Sequence, residues 1–269
     1  MVAVCGMGLE VSGANQFIFV KFSQLYFISL WKLNRYMKFN TEEHLDENNK
    51  KLLSEIRNKM SVTFEIFNKP YFENFSINNS VTVYVNPQIF TNSSVAHELL
   101  HAWFRSLGLH GSNMIYLSAR EKPKFSVVFD KKLCDHIGNC MDHYKIYPKF
   151  LEMGYVPEDF LSSKGMQCDI NSIRKLRIQN NGVYSAKHLN SYIGNLISIY
   201  ADHLPNDYSQ HLAQMQSIEP ELFDIVTEFW QAWENVDIEN PDHITRTDFE
   251  TINDFIMNIE CWIENKSIY

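Results

Sequence analysis

Two histidines and a glutamate stand together in His97-Glu98-Leu99-Leu100-His101, and their spacing dictates what they can do. On a helix, residues four apart lie on one face a turn apart, so the two imidazoles can converge on a single Zn²⁺. Glu98 sits beside that metal. A carboxylate there can take a proton from a metal-bound water, whose pKa the zinc lowers toward neutrality, and pass it to a leaving amine. Peptide hydrolysis needs that set: a Lewis acid, a nucleophile made from water and a proton shuttle. The surrounding Val95, Ala96, Leu99, Leu100, Ala102 and Trp103 are uncharged, as expected of a buried helix in which metal compensates the polar side chains.

A helix carrying such a site has to be held by neighbouring elements, and the sequence predicts them in order. Thr41 caps a helix through about Met60, with Leu45, Leu52, Leu53, Ile56 and Met60 on one stripe. Val62, Phe64 and Ile66 alternate as in a half-buried strand, and a turn-rich stretch at Asn78-Asn79 leads to a second strand, Val81 to Val85. That second strand is the expected sheet edge for pairing with an extended peptide. Ser93 or Ser94 then caps the active-site helix, which ends near Gly108. Beyond it a helix is expected over 131–147, interrupted by Pro148. Helices follow around 185–200, 208–215, 220–234 and 247–264. The fold class is therefore α+β: a small sheet and the HExxH helix, followed by a mostly helical C-terminal half.

The segment Ser94 to Trp103 (SVAHELLHAW) resembles the active-site helix of the zincin metallopeptidases, and the elements over about 41–107 are similar to their N-terminal half. The resemblance implies zinc at His97 and His101, Glu98 as general base, and a zincin-like catalytic core acting on a protein or peptide. The metzincin branch would place Gly and His three and six residues after the second histidine, where this chain has Phe104 and Leu107. The thermolysin-like branch takes a Glu from a later helix. A catalytic zinc needs three protein ligands and an open position, so the third must come from further along the chain. His143, in Asn139-Cys140-Met141-Asp142-His143, is the first choice; Asp142, Glu152 and His110 are alternatives. Asp142 could instead orient a ligating ring, and both it and Asn139 could fix that of His143. Cys134, His136, Cys140 and His143 offer a competing structural site, although four ligands within ten residues of one helix cannot surround a tetrahedral ion.

Composition narrows the remaining classes. With 24 Lys and Arg against 32 Asp and Glu, the net charge of -8 argues against a nucleic-acid surface. Five cysteines in a chain of 269 residues read as reduced thiols and point to the cytoplasm. Residues 17–31 form the most apolar run, yet Lys21, Ser23 and Gln24 interrupt it and it falls short of the roughly 20 residues of a membrane span. Residues 1–36 are accordingly an N-terminal extension, as a packed element or as a segment upstream of a start at Met37, and 37–269 a single domain. The sequence-level conclusion is a zinc peptidase, with a non-catalytic zincin-like module that binds a protein partner around a structural zinc as the alternative.

Overall fold

The computed structural model describes residues 39–109, 111–160, 179–240 and 247–269. The apolar run at 17–31, the alternative start at Met37 and the candidate ligand His110 lie outside the described residues.

The expected first helix divides in two. A 3₁₀ turn, Thr41–His44, is capped by the Asn40 side chain, and the α-helix proper, α1 (Glu47–Arg57), begins at Asp46, whose carboxylate accepts the Asn49 N–H at 2.8 Å. Leu45 between them is extended. An aspartate in extended geometry captures an orphan N–H better than Thr41 could at a helix start four residues upstream, so the cap moves to residue 46.

Three strands follow: β1 (Ser61–Ile66), β2 (Glu73–Ile77) and β3 (Ser80–Val85). β3 lies in the middle, parallel to β1 and antiparallel to β2. Val81–Val85 is thus not the sheet edge expected from the sequence; β1 and β2 are the edges. The strand missing from the sequence reading, β2, reverses the usual alternation. Phe75 and Ile77 point outward, each 59% exposed, while Asn74 faces inward to bond a helix residue. Asn78 at the hairpin tip has φ 50, a left-handed position that asparagine tolerates.

The next helix, α2 (Asn92–Ser106), packs on α1 and the sheet, with Val95, Leu99 and Leu100 fully buried against a core that includes Leu52, Ile56, Val81 and Val83. Its cap is Thr91, not Ser93 or Ser94: the Thr91 hydroxyl accepts the Ser94 N–H at 3.1 Å. Gly108, with φ 91, ends the run.

Two helices not expected from the sequence, α3 (Gly111–Arg120) and α4 (Pro123–Val128), lead into α5 (Lys131–Glu152), capped by Asp130. Pro148 sits inside α5 instead of interrupting it. A proline there removes the bond to the carbonyl one turn back, but the buried stripe of Ile137, Met141 and Ile146 continues to fully buried Phe150, so packing holds the last turn. A one-turn helix, α6 (Pro157–Phe160), closes this part.

The C-terminal half is helical as expected: α7 (Ala186–Tyr200), α8 (Ser209–Ile218), α9 (Pro220–Glu234) and α10 (Thr247–Glu264). A minor sheet joins β4 (Gln179–Asn180), β5 (Val183–Tyr184) and β6 (Ser267–Ile268). α5 is the link between the halves, packing on α2, α3 and α7. Among the described residues no helix is long and apolar enough to cross a membrane. The architecture is α+β.

Candidate metal centre

Residues 97 and 101 lie on the face of α2 that meets α5, and the contact between these helices brings residue 143 opposite them. The Nε2 atom of His143 lies 3.1 Å from Nε2 of His97 and 3.1 Å from Nε2 of His101. The rings fan around one point: their centroids are 4.8 to 5.0 Å apart and their planes are inclined by 47 to 76°.

Hydrogen bonding does not account for this arrangement. A ring nitrogen carries either one N–H or one lone pair in the ring plane, so Nε2 of His143 cannot serve both partners. At least two of the three nitrogens must present like groups, two lone pairs or two N–H, in a desolvated interior. A metal ion removes the conflict. Nitrogens bound tetrahedrally at about 2.0–2.1 Å stand about 3.3 Å apart, close to the observed spacing. His97, His101 and His143 thus form a cluster that could hold a metal ion, and among the described residues no second group of three such side chains forms.

Electrostatics favour metal over protons. Burial pushes the pKa of His97 down to about 3, with the neighbouring His101 adding to the effect, although part of the residue still reaches a cavity. Burial, then the flanking imidazoles, holds His143 well below the ordinary histidine range. Both rings are neutral at pH 7 with lone pairs available.

Glu98 is buried at 9% exposure, and Oε2 accepts a hydrogen bond from Nδ2 of Asn74 at 2.6 Å. Burial raises its pKa, while His101 and the Asn74 amide work the other way. His97 and Glu98 line a cavity of about 220 Å³ with Pro70, Tyr71, Phe72, Ile89 and Phe160 and the polar Ser94 and Asp159; His101 and His143 lie behind it. The Phe160 ring sits 4.7 Å from that of His97 and 5.2 Å from that of His143, shielding the cluster on one side.

Asp142 does not enter the cluster as a ligand. It is 3% exposed, and Oδ2 lies 3.2 Å from Nδ1 of His101 and 2.7 Å from Nη2 of Arg105. The carboxylate therefore orients His101, not its chain neighbour His143, because successive helical residues diverge by about 100° around the axis. Replacing Asp142 by Asn is expected to weaken metal binding about 10–100-fold. Competition against a chromophoric chelator measures this, and unchanged affinity would confine Asp142 to pairing with Arg105.

The other candidates fall elsewhere. Glu152 is exposed at the end of α5, beside a surface hollow with Trp103 and Lys149. His136 bonds the Gly194 carbonyl at 3.1 Å and the Ser198 hydroxyl at 2.9 Å on α7, and Cys134 points its thiol to the Phe129 carbonyl, so the competing Cys/His set is not assembled. Burial lifts the thiols of Cys134 and Cys140 to about 12, keeping both protonated. Three residues of the centre went unnoticed in the sequence. Arg105 could have been found from its spacing, four after His101 and seven after Glu98; nothing local marks Asn74 or Phe160.

Comparison of the chain with protein-family models, curated proteins and solved structures finds no match.

Proposed function

We propose that this chain is a zinc-dependent peptidase with a zincin-like catalytic core, in which His97, His101 and His143 hold the metal and Glu98 is the general base. The observation that carries the reading is the convergence of three imidazole nitrogens beside a buried glutamate at the wall of a cavity. Imidazole donors suit zinc and disfavour Mg²⁺ and Ca²⁺, which take oxygen ligands. When bound, zinc supplies Lewis acidity, making water acidic and polarising a carbonyl.

The remaining work belongs to the chain. Glu98 accepts the proton of the attacking water and returns it to the departing amine. Asn74 holds the Glu98 carboxylate by one oxygen, leaving the other for the proton. Asp142 fixes the ring of His101, and Phe160 keeps bulk water from one side of the cluster. β2, an edge of the three-stranded sheet, runs beside Glu98, so an extended peptide could pair with it.

Elemental analysis of protein purified without chelators is expected to give about one zinc per chain, with hydrolysis of a peptide library that disappears on chelation and returns with zinc. Failure to take up added zinc would overturn the proposal. Zinc uptake without cleavage of any peptide would favour a binding module.

A further inference from the structure

On the far side of Asn74 from the first cavity lies a second hollow, of about 470 Å³, lined by Arg105, Ser76, the amides of Asn74, Asn78, Asn79 and Asn113, and the Phe75 ring. The two meet at the centre, since Asn74 lines the second while its amide bonds Glu98 in the wall of the first. Their linings differ. Around the first, Pro70, Tyr71, Phe72, Ile89 and Phe160 form an apolar and aromatic wall beside the polar Ser94, Asp159, His97 and Glu98; apart from the Phe75 ring, the second carries amides, a hydroxyl and a guanidinium.

Among the described residues, Arg105 is the only ionised side chain lining the second hollow. It is held rather than mobile: Nη1 donates to the Leu109 carbonyl at 2.9 Å and Nη2 to Asp142 at 2.7 Å. Those bonds take two of the five N–H donors of a guanidinium. Among the described residues the buried hydroxyl oxygen of Ser76 has no hydrogen-bond partner. Fixed donors around a polar hollow suit an acceptor with several lone pairs, and a carboxylate on an arginine fork is the strongest such pairing.

Helix geometry gives the reach. Glu98 and Arg105 are seven residues apart on α2, nearly two full turns, so they share a face at an axial separation of about 10 Å. An extended peptide advances about 3.3 Å per residue, so this distance spans about three residues.

We infer that the polar hollow is a specificity site for a substrate carboxylate two or three residues from the scissile bond, on the side opposite an apolar residue seated in the first cavity. The inference builds on the peptidase reading and names its substrate class: peptides with an apolar residue at the cleaved bond and an acidic group spaced from it. That carboxylate is either an Asp or Glu side chain or the free C-terminus of the peptide.

Cleavage of a mixed-sequence synthetic peptide library by the zinc-loaded chain, read by mass spectrometry, tests this. The expected result is enrichment of a carboxylate at one position two or three residues from the cut. Matched substrates then separate the sources: Glu to Gln at that position, or amidation of the C-terminus, lowers kcat/KM about tenfold in one arm only. Asn113→Asp, an isosteric change at an exposed position on α3 that adds a repelling charge to the hollow, is expected to remove the acidic preference while leaving the apolar one. Cleavage indifferent to acidic residues in the wild-type chain overturns the inference and leaves the peptidase reading intact. Should no peptide be cut, calorimetry of the zinc-loaded chain with a Glu-containing peptide and its Gln analogue still decides: tighter binding of the acidic peptide, lost in Asn113→Asp, supports the site, and equal binding overturns it.

Discussion

Glu98→Gln is expected to keep the metal and the fold while losing hydrolysis by about 10²–10⁴-fold, the usual contribution of a positioned general base. Glutamine matches glutamate in shape, and its amide can still meet Asn74, which holds Oε2 at 2.6 Å. What disappears is a lone pair basic enough to take a proton. The loss should appear in kcat with little change in KM, because proton transfer occurs only on the way to the transition state. Metal content measured on the same preparation separates this from damage to the cluster. Undiminished turnover at full zinc occupancy would assign the base elsewhere. Neighbouring electrostatics make such an outcome hard to reconcile with the geometry, since the carboxyl group lies at the cavity wall one residue from His97.

Much of this centre was legible in the sequence, for reasons that differ between residues. His97 and His101 belong to one helix, and a spacing of four fixes their relation whatever the rest of the chain does. His143 required a tertiary fact, the contact of α5 with α2, but one of coarse kind: a nitrogen donor on a long helix with ample chain to return. Asn74 was illegible because β2 inverts its alternation. Its apolar Phe75 and Ile77 face outward, and its polar Asn74 faces in because the residue it meets is a buried carboxylate, not a hydrocarbon core. A pattern reader looks for apolar residues pointing inward, and a strand lining a polar site breaks that expectation. The same omission displaced the sheet edge from β2 to Val81–Val85, since a two-strand reading has no middle strand. Asp46 and Thr91 show a second limit: several residues near each helix start can cap, and only the local backbone decides which one does. Pro148 shows a third. Its local cost is real, and fully buried Phe150 on the following half turn supplies packing that the residue order alone does not rank against it.

The replacement of His143 by Ala is expected to lower zinc affinity by well more than the 10–100-fold that an outer hydrogen bond controls, whereas Glu152→Ala leaves the metal in place. Ligand count decides the outcome. α2 presents two nitrogens, a catalytic zinc requires three protein donors and an open position, and His143 alone among the candidates along α5 brings an Nε2 atom to 3.1 Å from both. Asp142 is committed to His101 and Arg105 on the far side of the ring, and cannot fill the vacancy without releasing Arg105. Truncating a residue that is 5% exposed also opens a cavity, so His143→Gln serves as the companion variant. It fills most of the volume with a side chain that is a poor zinc donor, and circular dichroism reports whether each variant is folded. Loss of zinc in both folded variants, with retention in Glu152→Ala, is the expected pattern. Retention of stoichiometric zinc at undiminished affinity in His143→Gln would show that the third donor is another group, and the convergence of the three rings would then lose its functional meaning.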